Sequence, residues 1–367
     1  MNTGGSLRAL VVVCLISLAP PSVRAACVFD TDGDGSANLV VADDDGDGLC
    51  DWPEGTVTLP GTLTFAAGTS VQFRGTTAIN ADSIVVEEGA RLVGNPTSLS
   101  KLTLTARRHG TSDIRSKGRL ELGASDDIVL QATGSVDLDG ETNLSAGDRV
   151  VIKASQGDVT ILQRFSESDG AFDVSARNRV EISAKGANGN VNLATVRIAS
   201  YKIIVSTRAN VSSVGEKQLG VSGGSVLTTD RARTGLSNGS NIQLTATGPI
   251  LITGDVVLDA NTSVAFVTQR QQDGVCLSDG TTIEASNGLG SLYFTNVRGE
   301  VTDDGTTVFR GRILGGDRIV QGQCLRKIPC ELSGFDSCSG ECPVGQFCVP
   351  EVKGKSRECV CVANTLR

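Results

Sequence analysis

One phrase constrains this chain more than any other: apolar, any, apolar, any, Ala. It occurs as Leu102-x-Leu104-x-Ala106, Ile128-x-Leu130-x-Ala132, Val150-x-Ile152-x-Ala154, Val180-x-Ile182-x-Ala184 and Ile242-x-Leu244-x-Ala246, with Ile203-x-Val205-x-Thr207 as a weaker copy. Alternation with period two places the apolar side chains on one face of a strand. Several copies run through a Gly turn into a second alternating segment: Gly134-Ser135-Val136-Asp137-Leu138, Gly157-Asp158-Val159-Thr160-Ile161 and Gly248-Pro249-Ile250-Leu251-Ile252. No segment carries a helical period.

Successive copies start 26, 22, 30, 23 and 39 residues apart. A coil of a parallel β-helix uses roughly 20 or more residues, so most gaps hold one coil plus a loop, and the longest nearly two. Each coil buries its apolar row only by stacking on its neighbours, and the small Ala suits a corner. These spacings predict an all-β fold, a right-handed parallel β-helix of roughly ten coils. A pair of antiparallel β-sandwiches uses similar strands and turns and is the rival architecture. The phrasing resembles the aromatic-poor β-helices of bacterial secreted adhesins of the filamentous haemagglutinin type, over about residues 60–300. That resemblance implies a structural or adhesive role, with loops such as 215–241 presented to partners.

The first 25 residues set the compartment. Arg8 gives a positive start, residues 9–19 form an apolar run too short to span a membrane, and Val23-Arg24-Ala25 offers small residues for cleavage. This reads as a secretory signal peptide. Lipid attachment at Cys27 is the alternative, with Arg24 where a Leu would be usual. Loss of Arg8 and Arg24 takes the formal charge from −8 to −10. So acidic a chain argues against nucleic acid or anionic lipid as partner and suits cation binding.

Composition divides the remainder into an acidic segment (26–55), the β-helix (56–322) and a cysteine-dense module (323–367). The acidic segment holds two calcium-loop phrases. In Asp43-x-Asp45-x-Asp47-Gly48-Leu49-x-Asp51-x-x-Glu54, oxygens fall at loop positions 1, 3, 5, 9 and 12, and Gly48 falls at the sharp turn. Calcium takes six to eight hard oxygen ligands, which such a loop supplies. The earlier copy offers Asp30, Asp32, Asp34 and Asn38. No amphipathic helix precedes Asp43, and Pro53 with Gly55 blocks one afterwards, so a paired EF-hand is excluded. The segment resembles thrombospondin type 3 calcium repeats. On that resemblance Asp43, Asp45, Asp47, Asp51 and Glu54 are ligands, Leu49 lends its carbonyl, and Asp30, Asp32, Asp34 and Asn38 form the first site. The competing reading is a solvated linker, but alternating aspartates repel one another without a cation.

Of eleven cysteines, Cys14 lies in the signal segment, leaving an even ten. In a secreted chain these read as disulfides, with Cys27–Cys50 closing the acidic segment. The run Cys338-x3-Cys342-Pro343-x-Gly345-x2-Cys348-x10-Cys359-x-Cys361 resembles small disulfide modules of the EGF and follistatin kind. Zinc is the competing use of these thiols, with no His nearby. Cys276 with Cys324 would tie this module to the β-helix.

Catalysis has thin support. His109 is the only histidine and reads as a surface-loop residue. Polysaccharide hydrolases and lyases on β-helices use grouped carboxylates with a basic partner. Asp126 with Asp127, Asp137 with Asp139, and Asp303 with Asp304 are the candidates, although acidic turn residues are ordinary. Sugar sites also want aromatic platforms, and the chain has one Trp, two Tyr and ten Phe, with Trp52 in the acidic segment, away from the β-helix. The expectation is therefore a secreted, calcium-binding structural or adhesive protein whose partners are extracellular glycans or proteins. A calcium-dependent polysaccharide hydrolase or lyase is the alternative.

Overall fold

A computed structural model describes residues 26–29, 39–107, 112–162, 173–186, 189–207, 219–222, 225–229, 241–269 and 274–322, with the backbone of four short strands between 331 and 363. The architecture is a parallel β-solenoid with three strand ladders, one per face. In chain order the first coil gives Cys50–Trp52 to the first ladder, Gly55–Thr58 to the second and Thr62–Phe65 to the third. The third ladder is an eleven-stranded sheet that ends at Ile319–Gln321. Four long strands, Ser70–Ala81, Arg91–Ala106, Val174–Ala184 and Arg197–Thr207, bend from the first face onto the second. Helix among the described residues is confined to two single 3₁₀ turns, Ser286–Gly288 and Gly316–Arg318.

The recurrent phrase is the second ladder. Leu102, Ile128, Val150, Val180, Ile203 and Ile242 pair in parallel, each directly with the next. All six are fully buried. Their rows recur in register because a slip of one residue would turn every apolar side chain outward. Ala106, Ala132, Ala154, Ala184 and Ala246 stack at the corner that follows, all essentially inaccessible. Thr207 takes that corner in the weaker copy. It is also buried, and its Oγ1 accepts the Thr247 N–H at 3.3 Å.

The gap between Ile203 and Ile242 corrects the sequence reading. It was expected to span nearly two coils, yet the two residues are direct partners, so it is one coil with insertions. Segment 215–241 is accordingly not one loop. It contributes the ladder strands Leu219–Ser222 and Val226–Thr228, and its residues 215–218, 223–224 and 230–240 lie outside the described residues.

Corners bring backbones very close. A Cβ on Gly147 would stand 1.9 Å from the Ser125 carbonyl oxygen, so no other residue fits that turn. At the turn into the third ladder, side chains satisfy the N–H groups of the next coil. Ser135 N donates to Asp113 Oδ1 at 2.7 Å, Asp158 N to Ser135 Oγ at 3.1 Å, and Asn190 N to Asp158 Oδ1 at 2.6 Å. Unpaired buried amides are costly, which explains the Asp, Ser and Asn at these turns.

A solenoid exposes an edge at each end. At the N-terminal end, Ala26–Phe29 pairs antiparallel with Leu39–Ala42, and Cys27 is bonded to Cys50 with Cα atoms 5.9 Å apart. Phe29 then lies 5.5 Å from Trp52 and 5.6 Å from Phe65, while Trp52 lies 6.0 Å from Phe73. This aromatic plug corrects a second expectation. Trp52 belongs to the first coil of the solenoid, pairing with Phe73, and is buried rather than set apart in the acidic segment.

In the cysteine-dense region, Glu331–Leu332 pairs antiparallel with Cys338–Ser339, and Gln346–Lys353 with Ser356–Ala363. Cys276, which faces outward from the third ladder, is disulfide-bonded. Its expected partner Cys324 lies outside the described residues.

Candidate metal centre

The loop from Asp43 to Cys50 is held by its own aspartates. Asp43 Oδ1 accepts the Gly46 N–H at 2.7 Å and Oδ2 the Gly48 N–H at 3.0 Å. Asp45 Oδ1 accepts the Asp47 N–H at 3.2 Å, and Asp47 Oδ1 the Leu49 N–H at 2.8 Å. Asp51 Oδ2 closes the turn on the Asp44 N–H at 2.8 Å. Gly46 and Gly48 have φ of 80° and 86°, left-handed conformations that side chains disfavour. Gly48 therefore makes the sharp turn its loop position called for.

Carboxylate oxygens of Asp43, Asp45 and Asp51 converge within 4.8 Å of one another. Asp43 is buried, Asp51 half-buried and Asp45 exposed. Asp47, by contrast, is outside this group. Glu54 turns away as well. Its Oε1 accepts the Thr76 N–H at 3.2 Å, and its carboxylate lies over Gly75. Asp30, Asp32, Asp34 and Asn38 lie outside the described residues.

The sequence reading missed Arg74. Its guanidinium bonds the Asp45 carboxylate, stands 3.0 Å from Asp51 Oδ1, and is steadied by Gln72 Oε1 at 2.6 Å. This contact holds the Asp45 carboxyl below its ordinary pKa and raises that of Arg74. Ladder register makes the meeting: Asp51 pairs with Gln72, which puts Arg74 one strand over from the acidic loop. A basic residue shortly after an outward Gln is too common a pattern to reveal this without the register.

All donors in the group are hard oxygens on a short turn, the set that suits a hard divalent cation. Three carboxylates against one guanidinium leave net negative charge for a divalent ion to neutralise.

A second group, Asp126, Asp127 and Asp148, also lies within metal-binding range. It already has its cations. Buried Asp127 receives Arg149 at 2.6 Å and Lys101 at 3.1 Å, and Asn178 donates to Asp148 at 2.5 Å. Arg149 and then Lys101 hold the Asp127 carboxyl below its usual pKa. Asp127 thus pins three neighbouring strands of the second ladder through Lys101 and Arg149.

The other carboxylate pairs occupy different places. Asp137 is on the third ladder between Arg115 and Thr160, and burial, then Asp139, raises its pKa. Asp303 is on the same ladder near its far end. Asp304 is a turn residue whose Oδ2 accepts the Asp279 N–H at 2.9 Å and whose Oδ1 accepts the Thr306 N–H at 2.9 Å. The reading that the chain holds no nucleophile-elbow Gly-x-Ser-x-Gly phrase is corrected by two. In Gly220-Val221-Ser222-Gly223-Gly224, Ser222 ends a ladder strand and the next described element is another strand, and Gly235-Leu236-Ser237-Asn238-Gly239 lies outside the described residues. His109 lies outside the described residues.

Fold and loop together define a parallel β-solenoid whose N-terminal end carries acidic groups able to hold a metal ion. No protein-family model matches the chain, and no curated protein or solved structure matches it. No helix among the described residues is long and apolar enough to cross a membrane.

Proposed function

We propose that this is a secreted, calcium-binding structural or adhesive surface protein, a stiff solenoid that presents its faces to extracellular glycans or proteins. The carrying observation is the convergence of Asp43, Asp45 and Asp51 on a turn closed by Cys27–Cys50. Calcium there would bind together the turn, the disulfide and the aromatic plug, and so rigidify the N-terminal end. The disulfide supports an oxidising compartment, and the signal-like segment supports export. Asp126/Asp127 and Asp137/Asp139 share a coil but fall on different faces, and Asp303/Asp304 shares a face with Asp137 but lies many coils away, a dispersal that supports a non-catalytic role.

Calorimetric titration of the mature protein with calcium tests this directly. Saturable binding is expected, with a melting temperature that rises in calcium and returns in chelator. At one hundred times Kd, linkage gives about 2.7 kcal/mol of stabilisation. Absence of binding and of a melting shift at millimolar calcium would sink the calcium reading.

A further inference from the structure

Near the C-terminal end of the solenoid, the second ladder is interrupted. Strand Ser291–Asn296 pairs with Ser263–Thr268, but the register slips: Ala265 faces Tyr293 while Val267 faces Asn296. Bulges re-aim side chains and recur next to binding sites. Here the slip lies beside an open cleft of about 330 Å³, whose polar walls include Gln269, Thr295, Asn296, Arg298 and Arg318. Backbone N–H of Arg298 donates to Thr268 Oγ1 at 2.8 Å, and the Arg318 guanidinium donates to the Val297 carbonyl. Both arginines are thereby placed at the cleft.

Their charge is unanswered. Arg91 pairs with Glu121 on a neighbouring strand, Arg119 with Glu121 of its own strand and with Glu141, Arg149 with Asp127, and Arg310 with Glu284. Among the described residues neither Arg298 nor Arg318 has a carboxylate within ion-pair distance. Two unpaired guanidiniums beside amides and hydroxyls, on a chain of net charge −8, select for an anion. Planar guanidinium forks match the two oxygens of a carboxylate in a bidentate pair. The cleft is open, and its lining sets amides, hydroxyls and guanidiniums beside Val267 and Val297, a mixed surface that suits the polar edge and apolar face of a sugar. Tyr293, on the same strand, is 36% exposed, a ring available for stacking on a pyranose face.

We infer that this cleft binds a carboxylated glycan, with Arg298 and Arg318 on a uronate carboxylate and Tyr293 against the sugar ring. The inference rests on the adhesive reading and names the partner class for it. The test is calorimetry on the mature protein in chelator, so that calcium bridging of the glycan plays no part. A galacturonate hexamer should bind saturably and more weakly as salt rises, and a neutral glucose hexamer should not bind. Arg298→Glu should weaken the hexuronate about tenfold, the loss expected for one charge-assisted hydrogen bond, with an unchanged melting temperature. If that variant melts early, Tyr293→Ser carries the test with the same expected direction. Equal binding by the folded variants, equal binding of the neutral hexamer, binding only of a sulfated oligosaccharide, or full displacement by inorganic sulfate would each overturn the assignment. Calcium titration of the same preparation separates the two failures. Loss of uronate binding with calcium binding intact removes the cleft alone, and the reverse removes the metal centre alone.

Discussion

Replacing Arg74 by Gln should tighten calcium binding at the N-terminal loop. The guanidinium bonds Asp45 and stands 3.0 Å from Asp51, so an ion entering the group must displace it or sit against it. In bulk water, unit charges about 4 Å apart interact by about 1 kcal/mol, so a divalent ion and the guanidinium repel by about 2 kcal/mol. Water's dielectric is the appropriate choice because the Arg74 side chain is 37% exposed. That energy corresponds to roughly a thirtyfold change in Kd. Calorimetry on Arg74→Gln, Arg74→Lys and the parent at low ionic strength checks it. Lys keeps the charge and should bind close to the parent, and added salt should shrink the gap for Gln. In chelator the Gln variant should melt earlier, because its carboxylates lose their internal cation. Calcium affinity equal to or below the parent's would refute the reasoning and make Arg74 a support for the ligating turn instead of a competitor.

Removing Cys27–Cys50, which closes a loop of sequence separation 23, should cost about 3 kcal/mol by chain entropy. Trp52 is the only tryptophan, so its emission should shift red in Cys27→Ala/Cys50→Ala before far-ultraviolet dichroism falls. Ala132→Leu should destabilise by about 1–3 kcal/mol in denaturant titration, since the corner has no room for three more carbons. Asp127→Ala should cost about 2 kcal/mol by leaving Lys101 and Arg149 without their carboxylate. The Asp127 carboxyl sits below its ordinary pKa of 3.8. Its contribution is therefore complete above that value and lost as the pH falls through the folded-state pKa, so acid melts should steepen in the parent relative to Asp127→Asn.

The parallel fold was legible because the core is one-dimensional. Each coil repeats the same inward pair and corner Ala, so Leu102 to Ile242 announce the second ladder by spacing alone. The third ladder appeared only in the Gly-led phrases, and the first was overlooked even though Arg119–Ala124 carries the same inward row, Leu120-x-Leu122-x-Ala124, because elsewhere its strands run on into the second ladder as one long bent strand. Insertions misled the count at 203–242, because sequence distance cannot tell a long loop from an added coil. The metal group was half legible. Period-two aspartates gave Asp43, Asp45 and Asp51, whereas Arg74, which sets their charge, arrives through ladder register. Trp52 was misplaced because its neighbours are acidic, and composition was read where pairing decides. The unpaired arginines were invisible for a related reason: a free charge is defined by what the neighbouring strands fail to supply.

Distance then decides how the two sites relate. The acidic loop leads into the first coil, while the cleft lies on the tenth strand of the second ladder, roughly 40 Å away at strand spacing. Solenoid stability is a sum of coil and nearest-neighbour terms, so a change at one end decays within a few coils. Coupling between distant sites requires a two-state element that both of them bias, and rigid stacked ladders supply none here. Calcium should therefore fix the N-terminal end without altering intrinsic affinity at the cleft. Any calcium dependence of adhesion would have to arise from cations bridging the glycan itself, or from protection of the chain against unfolding from its N-terminal edge.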